Sequence, residues 1–337
     1  MSIILGLETS CDETAVAVVA DQVHVLANVT HTQTVHAHYG GVVPELASRE
    51  HLGRLPGLLQ ETLTEAHLTS SDIDGIAVTR GPGLIGCLLV GISYAKGLSV
   101  TLGKPFIGVN HLEGHAVSNR LTYPDFPLPH VVLIVSGGHT ALVWVKNWED
   151  FSTLGQTRDD AAGEALDKIG KLVGLAYPAG ATIDQLALTG NPAAINFPRA
   201  RLEEGSLDFS FSGIKTAAAI HLERNPKVMG PDRLPDFLAS FQMAIVDVLV
   251  EKLVAAAITA RAHGIAIAGG VACNSVLRRK TQLAAKQAGL AFAVPPPYYC
   301  TDNAAMIAAR GAIDLDSGGQ SPLDLTGLPS WPIGHSA

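Results

Sequence analysis

Apolar and polar positions alternate along the chain with two different periods. Short runs rich in valine and isoleucine, IILGL at 3–7 and TAVAVVA at 14–20, have the length and composition of buried β-strands. The segment HLGRLPGLLQETLTEAHL at 51–68 repeats its apolar residues at helical spacing, and the strand-like run IDGIAVTR follows at 73–80. Strands and helices that alternate in this way, with glycine turns between them, predict an α/β fold.

The two halves of the chain repeat one pattern. IILGLETSCDETAVAVV at 3–19 and VVLIVSGGHTALVWV at 131–145 each have the pattern of a strand, a short polar turn and a second strand. Later in each half a strand leads through a glycine turn into a helix, at 75–99 and at 264–288. Either hairpin alone is equally typical of an ordinary β-turn, but the two together predict duplicated lobes of the actin, sugar kinase and Hsp70-like ATPase (ASKHA) type. In that fold small turn residues let backbone N–H groups approach phosphate oxygens.

A lobe boundary is expected in LTYPDFPLPH at 121–130, where three prolines cluster. The predicted N-terminal lobe comprises 1–126 plus 299–330, because the helical run NAAMIAARGAIDLD is expected to return to it. The predicted C-terminal lobe comprises 127–298 and contains the SGGHT and AGGVACN turns, which leaves a loop-like or frayed tail at 331–337.

Composition limits the classes of protein that remain possible. The net charge of −8 argues against a protein that binds nucleic acid through a general basic field. The four cysteines form no C-x-x-C pair, which favours a reducing cytoplasm. The start of the chain lacks the basic region of a secretory signal, and the apolar stretch at 83–95 ends at Lys96, short of the ~20 residues that cross a bilayer. A soluble, cytoplasmic protein without a membrane span is therefore expected.

The stretch NHLEGH at 110–115 predicts the start of a helix that carries a metal site. Asn110 is a favourable N-cap, and Glu113 occupies the position from which a capping-box glutamate returns to the cap. His111 and His115, at i and i+4, face the same way and can share one metal ion. Such a pair is equally typical of two solvated surface histidines, but Asp302 in CTDNAAM offers a third ligand. Two histidines and one carboxylate suit Fe(II), Zn or Mn.

The histidine spacing alone leaves a metallopeptidase open, and the position of the glutamate argues against it. In the peptidase motif H-E-x-x-H, the general base directly follows the first histidine. That position is Leu112 here, and Glu113 lies about 200° round the helix from His111. His31, His36 and His38 lack a compact helical pair, and we do not expect them to bind the metal.

Motifs along nearly the whole chain resemble the bacterial TsaD family of tRNA threonylcarbamoyladenosine synthesis, which was formerly labelled a glycoprotease family. The motifs are GLETSCDETAVAV, YGGVVPELASREH, GPGLIGCLLVG, NHLEGH, VSGGHT, DDAAGEALDK, FSFSGIKT, AGGVACNS and CTDNAAMIA. The resemblance implies an acyltransferase that moves the threonylcarbamoyl group from threonylcarbamoyl-AMP to N6 of adenosine 37 in tRNAs reading ANN codons, which gives t6A37 and AMP. It also implies several partners: tRNA, the paralogue TsaB, the ATPase TsaE and a separate synthase that supplies the adenylate.

The resemblance also assigns roles to residues. It implies that His111, His115 and Asp302 hold one divalent metal, Fe(II) in the first place and Zn as the alternative. The positions that match the adenine-nucleotide site, for threonylcarbamoyl-AMP or for ATP and AMP, are Ile134, Val135, Ser136, Gly137, Gly138, Asp167, Gly180, Asp184 and Asn274. Asp12, in the turn that contains Glu8, Thr9, Ser10 and Glu13, is the catalytic candidate.

Two of these assignments have alternatives on local grounds, and one position departs from the family pattern. Asp167 is placed to pair with Lys171 on a helix surface, and Asn274 is placed to cap a helix. At Ala179 relatives often carry glycine, so we expect its methyl group to crowd the nucleotide. Two other functions also stay open, a metal-dependent glycopeptidase and a non-catalytic nucleotide-binding scaffold.

Overall fold

The computed structural model describes residues 2–200 and 202–335. The strands are β1 (Ile3–Glu8), β2 (Glu13–Ala20), β3 (His24–Thr32), β4 (Gly75–Gly81), β5 (Phe106–Asn110), β6 (His130–Val135), β7 (Thr140–Asn147), β8 (Asp150–Gln156), β9 (Gly264–Ala268) and β10 (Ala291–Ala293). The α-helices are α1 (Pro44–Glu65), α2 (Ile85–Leu102), α3 (His111–Val117), α4 (Ala162–Leu172), α5 (Gly180–Ala187), α6 (Ser212–Arg224), α7 (Leu234–Thr259), α8 (Ser275–Ala288), α9 (Pro297–Cys300) and α10 (Ala304–Asp316).

The chain divides into two compact units. Unit 1 consists of Met1–Phe126, Lys146–Phe151 and Tyr298–Ala337, and unit 2 of Pro127–Val145 and Ser152–Pro297. The sequence-based lobe and tail predictions extend over positions 1, 201, 336 and 337, which lie outside the described residues.

Unit 1 contains a mixed five-stranded sheet with the order β3-β2-β1-β4-β5. The first three strands form an antiparallel meander, and β1, β4 and β5 run parallel. Both faces of β1 are buried, and alternate residues enter different cores. Leu5 and Leu7 pack in the core that includes residues of α1 and α2, whereas Ile4 packs in the core that includes residues of α10. A strand covered on both faces has the continuous apolar run that the sequence shows at 3–7.

Glycines bring α10 unusually close to this sheet. A β-carbon on Gly6 of β1 would lie 2.3 Å from the carbonyl oxygen of Ala304, and one on Gly311 would lie 2.3 Å from the β-carbon of Ala77. A larger side chain at either position would push the helix off the sheet. This close packing fixes the N-terminus of α10, and with it the residues immediately before the helix, which include Asp302.

Unit 2 repeats the topology of unit 1. Its sheet has the order β10-β9-β6-β7-β8, so the meander β6-β7-β8 corresponds to β1-β2-β3, and β9 and β10 correspond to β4 and β5. β6 pairs antiparallel with β7 and parallel with β9, as β1 does with β2 and β4. The predicted duplicated α/β fold is confirmed.

Helix α2 has the length and composition of a membrane span, with 18 residues and a mean hydropathy of 1.6. It is longer than the apolar stretch at 83–95, because it continues to Leu102. It nevertheless connects β4 and β5, which pair in parallel in one sheet, and it buries Cys87, Leu88, Ile92 and Ala95 against the unit. It therefore packs one face on the sheet of unit 1.

Candidate metal centre

The carboxyl ends of three parallel strands of unit 1 bring polar residues to one edge of the sheet. Glu8 ends β1, Thr79 lies near the end of β4, and Asn110 ends β5. This edge is where open α/β sheets place ligands, because the turns that follow parallel strands meet there.

Helix α3 begins at this edge, as the sequence predicts. The side-chain oxygen of Asn110 accepts hydrogen bonds from the backbone N–H groups of Leu112 (2.9 Å) and Glu113 (3.3 Å), so the predicted N-cap is confirmed.

The predicted capping box is wrong. The carboxylate of Glu113 does not return to the cap, because it accepts hydrogen bonds from Nε of Arg310 (3.0 Å) and from the backbone N–H of Gly334 (3.2 Å). Arg310 is itself nearly buried, so its charge requires a partner, and Glu113 supplies one. These contacts hold Glu113 in an ion pair on another part of the unit.

His111, His115 and Asp302 converge on one point. Oδ1 of Asp302 lies 3.0 Å from Nε2 of His115 and 3.5 Å from Nε2 of His111. The two imidazole rings are nearly perpendicular, with centroids 4.8 Å apart, and one potential ligand atom from each of the three residues lies within 4.8 Å of the others. Two imidazole nitrogens and a carboxylate oxygen at this spacing fit one divalent transition-metal ion and leave further coordination positions for other ligands.

Glu8 holds the first histidine in the orientation that a metal requires. Its Oε2 lies 2.9 Å from Nδ1 of His111 and accepts a hydrogen bond from Oγ1 of Thr79 at 2.6 Å. Its Oε1 accepts a hydrogen bond from the backbone N–H of Ser10 at 2.5 Å. A carboxylate on the far nitrogen of a ligating histidine fixes its tautomer and directs the other nitrogen toward the metal.

The charges in this cluster favour a cation. Burial opposes the charged form of His111, but Glu8 and Asp302 together raise its pKa well above the usual value. Burial likewise opposes ionisation of Asp302, but His111 and His115 hold the pKa of its carboxyl well below the usual range. The negative charges that stabilise a protonated His111 would equally stabilise a divalent ion, and the ion would replace that proton.

Next to this cluster, the turn between β1 and β2 contains the catalytic candidate Asp12, which is partly exposed. Burial, and then repulsion by Asp302 and Asp12, raises the pKa of Glu13 well above its usual value. The turn is fastened to α1 by His51, whose Nε2 lies 2.9 Å from the carbonyl oxygen of Cys11 and whose Nδ1 lies 2.7 Å from Oγ1 of Thr14. The YGGVVPELASREH segment thus supports this turn.

In unit 2 the turn after β6 exposes two glycines. Gly137 and Gly138 are exposed, and nothing lies within 4 Å of the position of a β-carbon on either. Ser136 is held by His139, since the backbone N–H of each donates to an oxygen of the other, at 2.8 Å and 3.1 Å. Ile134 and Val135 are fully buried within β6, so their side chains belong to the core and their contribution is to position the turn.

Asp167 does not form the ion pair with Lys171 on the helix surface that its spacing allows. Its Oδ1 accepts a hydrogen bond from the backbone N–H of Ala179 at 2.7 Å, immediately before α5 begins at Gly180. The methyl group of Ala179 lies against Gly170 of α4, where a β-carbon on Gly170 would be 2.2 Å away. The expectation that this methyl group crowds a nucleotide is wrong, because it is buried between two helices.

Asp184 and Asn274 lie together at the start of α8. The side-chain oxygen of Asn274 accepts a hydrogen bond from the backbone N–H of Leu277, so Asn274 is the N-cap of this helix. Asp184 accepts hydrogen bonds from the backbone N–H of Ser275 (2.9 Å) and from its hydroxyl (3.0 Å). Gln242 links the two, since it donates to Asp184 and accepts from Asn274.

Sequence reasoning missed two residues that support the metal cluster. Thr79 binds Glu8, and Arg310 binds Glu113, across sequence separations of 71 and 197 residues. A weak signal exists for each: Thr79 is a polar residue near the end of a mostly apolar strand, and Arg310 is a charged residue between the apolar runs AAMIAA and GAI of α10.

Comparison with known structures supports the fold. HypF of T. kodakarensis aligns with a TM-score of 0.63 at 14% identity, over 94% of this chain and 48% of that one. Component A of the Acidaminococcus fermentans (R)-2-hydroxyglutaryl-CoA dehydratase aligns with a TM-score of 0.55 at 15% identity, over 92% and 98% of the two chains. At such identities the likeness concerns the fold alone, and it supports the ASKHA-type α/β architecture.

Comparison of sequences is more specific. A tRNA N6-adenosine threonylcarbamoyltransferase from Moorella thermoacetica is 51% identical over 331 residues, which cover 98% of this chain and 97% of the relative. One from Geobacter metallireducens is 50% identical over 332 residues, covering 98% and 97%. Residues 24–309 match the family model described as TsaD: tRNA N6-adenosine threonylcarbamoyltransferase. On these grounds the chain belongs to the TsaD family.

Proposed function

We propose that this protein transfers the threonylcarbamoyl group from threonylcarbamoyl-AMP to N6 of adenosine 37 in tRNAs that read ANN codons. The products are t6A37 and AMP. The observation that carries the proposal is the convergence of His111, His115 and Asp302 in a chain that is about half identical, over nearly its whole length, to threonylcarbamoyltransferases.

The metal in our proposal is Fe(II), with Zn as the alternative. A donor set of two imidazoles and one carboxylate is common to both ions. When bound, the ion supplies a Lewis acid that stabilises negative charge on an oxygen of the phosphate or of the carbamoyl group. The protein's own part is to direct one ring nitrogen of each imidazole at the ion, which Glu8 does for His111 by its contact with Nδ1.

The adenine nucleotide binds, in our proposal, to unit 2. The exposed glycines 137 and 138 offer backbone N–H groups at a turn to which a phosphate can come close. Each carboxylate oxygen can accept two hydrogen bonds, so Asp167 retains acceptor positions beyond its bond from Ala179, and Asp184 retains one on Oδ2, because Gln242 and Ser275 fill Oδ1. Both can therefore accept ribose hydroxyls while Asp167 holds Ala179 and Asp184 holds Ser275 in place.

The transfer step forms one bond and breaks another. The N6 amine attacks the carbamoyl carbon, the bond from that carbon to the phosphate oxygen breaks, AMP leaves, and N6 loses one proton. Adenine N6 is a weak nucleophile because its lone pair is delocalised into the ring, so the acyl donor must supply the activation. We propose Asp12 as the catalytic residue of the β1–β2 turn, where burial raises the pKa of the neighbouring Glu13 well above its usual value. Asp12→Asn should then lower kcat about 10²-fold or more and leave metal content unchanged.

The partners in our proposal are TsaB, TsaE and the synthase that makes the adenylate, in the cytoplasm. The net charge of −8 supports shared handling of tRNA, because an acidic protein gains little from the phosphate backbone by itself. The glycopeptidase alternative is disfavoured by the engagement of Glu113 with Arg310.

Reconstitution tests the function. Unmodified tRNA, threonine, bicarbonate and ATP are incubated with the synthase, TsaB and TsaE, with or without this protein, and the nucleosides are measured by mass spectrometry. We expect t6A with the wild-type protein, little with His115→Ala, and wild-type amounts with the control His38→Ala, which changes an exposed histidine. If the wild-type protein binds ATP but forms no t6A under any metal loading, the scaffold alternative replaces our proposal.

A further inference from the structure

The two histidines of the metal centre are supported unequally. Nδ1 of His111 lies against Glu8, whereas Nδ1 of His115 is buried and has no hydrogen-bond partner within residues 2–200 and 202–335. Ligating histidines almost always donate their second ring N–H to a carboxylate, a carbonyl or a water. A buried N–H without a partner is unfavourable, because it loses its hydrogen bond to water and gains none in return. The second ring nitrogen of His115 therefore needs an acceptor.

One turn after His115, the side chain of Asn119 also lacks hydrogen-bond partners among the described residues. Its side chain is fully buried, and neither its Oδ1 nor its Nδ2 has a hydrogen-bond partner in the described part of the chain. Asn119 lies in the short 3-10 turn Ser118–Leu121, which directly follows the last turn of α3 that contains His115. The backbone carbonyl of Asn119 already accepts from the N–H groups of Thr122 (3.2 Å) and Tyr123 (2.9 Å), so the side chain is not needed for that turn.

We propose that Asn119 positions His115 for metal binding, with one buried water joining Nδ1–H of His115 to the Asn119 amide. The three unsatisfied atoms give a buried water three polar partners, which is the number that such waters typically have. Asn119 thereby does for His115 what Glu8 does for His111, with a neutral amide in place of a carboxylate. This inference rests on the proposed metal site and adds a residue to it.

The chain offers a matched control one residue earlier. Ser118 is as deeply buried as Asn119, and its hydroxyl donates to the backbone carbonyl of His115 at 2.8 Å. Ser118→Ala removes a hydrogen bond from the same turn and leaves the imidazole ring untouched. A loss caused by a general weakening of α3 should therefore appear in this control as well.

The experiment compares wild type, Asn119→Leu, Asn119→Asp and Ser118→Ala as full-length proteins. Zn(II) and Co(II) dissociation constants are measured by competition with a chelator, and the Nδ1–H signal of His115 is followed by NMR in Zn-loaded, 15N-labelled protein. Leucine is close in shape to asparagine but cannot form hydrogen bonds, so we expect about 10-fold weaker binding and faster exchange of that proton. Aspartate keeps an acceptor and should bind within about 3-fold of wild type, as should Ser118→Ala.

Four outcomes would overturn the inference. The first is wild-type metal affinity in Asn119→Leu, and the second is an equal loss of affinity in Asn119→Leu and Ser118→Ala. The third is an equal loss of affinity in Asn119→Asp and Asn119→Leu. The fourth is a crystal structure of the Zn-loaded protein in which Nδ1 of His115 binds another group. Should Asn119→Leu fail to fold, Asn119→Asp and the crystal structure still decide the matter. Failure of the wild type itself to bind metal would instead refute the proposed site.

Discussion

Replacement of Glu8 by glutamine tests the support of the metal centre most directly. The Glu8 carboxylate is fully buried and faces three donors, His111 and Thr79 at Oε2 and Ser10 at Oε1. Glutamine has nearly the same shape but a single side-chain oxygen. Whichever way its amide is turned, an NH2 group must face a donor, so one side of the network loses its hydrogen bonds.

The size of the effect follows from these contacts. A hydrogen bond to a charged group contributes about 1.5–3 kcal/mol, and 1.4 kcal/mol corresponds to a factor of ten in a binding constant. If the amide oxygen faces His111 and Thr79, the contact persists but loses its charge, which should weaken metal binding about 10-fold; if the NH2 group faces them, the His111 contact is lost and the effect should approach about 100-fold. Activity at limiting metal should fall in parallel, and excess metal should restore most of it.

The assay is a chelator-competition titration of metal-free protein with Zn(II) and Co(II), with Glu45→Gln as the control. Glu45 forms an exposed ion pair with Arg49 on α1, and such pairs contribute little. Wild-type affinity in Glu8→Gln would show that Glu8 does not orient His111. An equal loss in the control would show that the assay reports general damage.

Three further predictions concern packing, pH and the C-terminal segment. Gly170→Ala should lower the free energy of unfolding in urea by about 1–3 kcal/mol, because the new methyl group would lie 2.2 Å from that of Ala179. The control Gly213→Ala should not lower it, because nothing lies within 4 Å of the added β-carbon. Burial lowers the pKa of His130 from 6.5 to about 4. The unfolded state therefore takes up a proton first, and the free energy of unfolding should fall as the pH drops from 6.5 toward 4. Between pH 7 and pH 5, His130→Gln should lose about 2 kcal/mol less of this free energy than wild type, and equal losses would contradict the prediction. A chain that ends at residue 330 loses two hydrogen bonds, the one that Asn110 Nδ2 donates to the carbonyl oxygen of Trp331 and the one that the Gly334 N–H donates to Glu113. It should therefore bind metal several-fold more weakly, which corresponds to about 1 kcal/mol. Unchanged affinity would show that this segment does not hold α3.

The fold and the metal ligands could be predicted because their signals are local. The strand and helix periods at 3–7 and 51–68 follow from burial of one or two faces, and the repeat of the hairpin pattern in each half predicts the duplication. His111 and His115 are on one short helix whose cap is encoded next to them. Asp302 is offered as the third ligand by the motif CTDNAAM and by the family resemblance, and its carboxylate lies beside both imidazoles.

The supporting residues could not be predicted because they depend on the register of distant elements. Whether Glu113 caps its own helix or pairs with Arg310 is decided by how α10 packs on the sheet, and that depends on the glycines at 6 and 311. The direction of the Ala179 methyl group likewise depends on the approach of α4, which Gly170 permits. The local sequence specifies which side chains an element carries, and the packing of helices and sheets determines which residues those side chains contact.

The carboxylates around the histidine pair explain why the peptidase-like spacing need not imply a peptidase. In H-E-x-x-H the glutamate beside the first histidine is available to take a proton from metal-bound water. Here leucine occupies that position, and Glu113 is committed to Arg310. The nearby acids have other roles, since Glu8 contacts His111, Asp302 is a candidate metal ligand, and burial raises the pKa of Glu13 well above its usual value. Such a site balances the charge of a cation without presenting a glutamate at the position of the peptidase's general base.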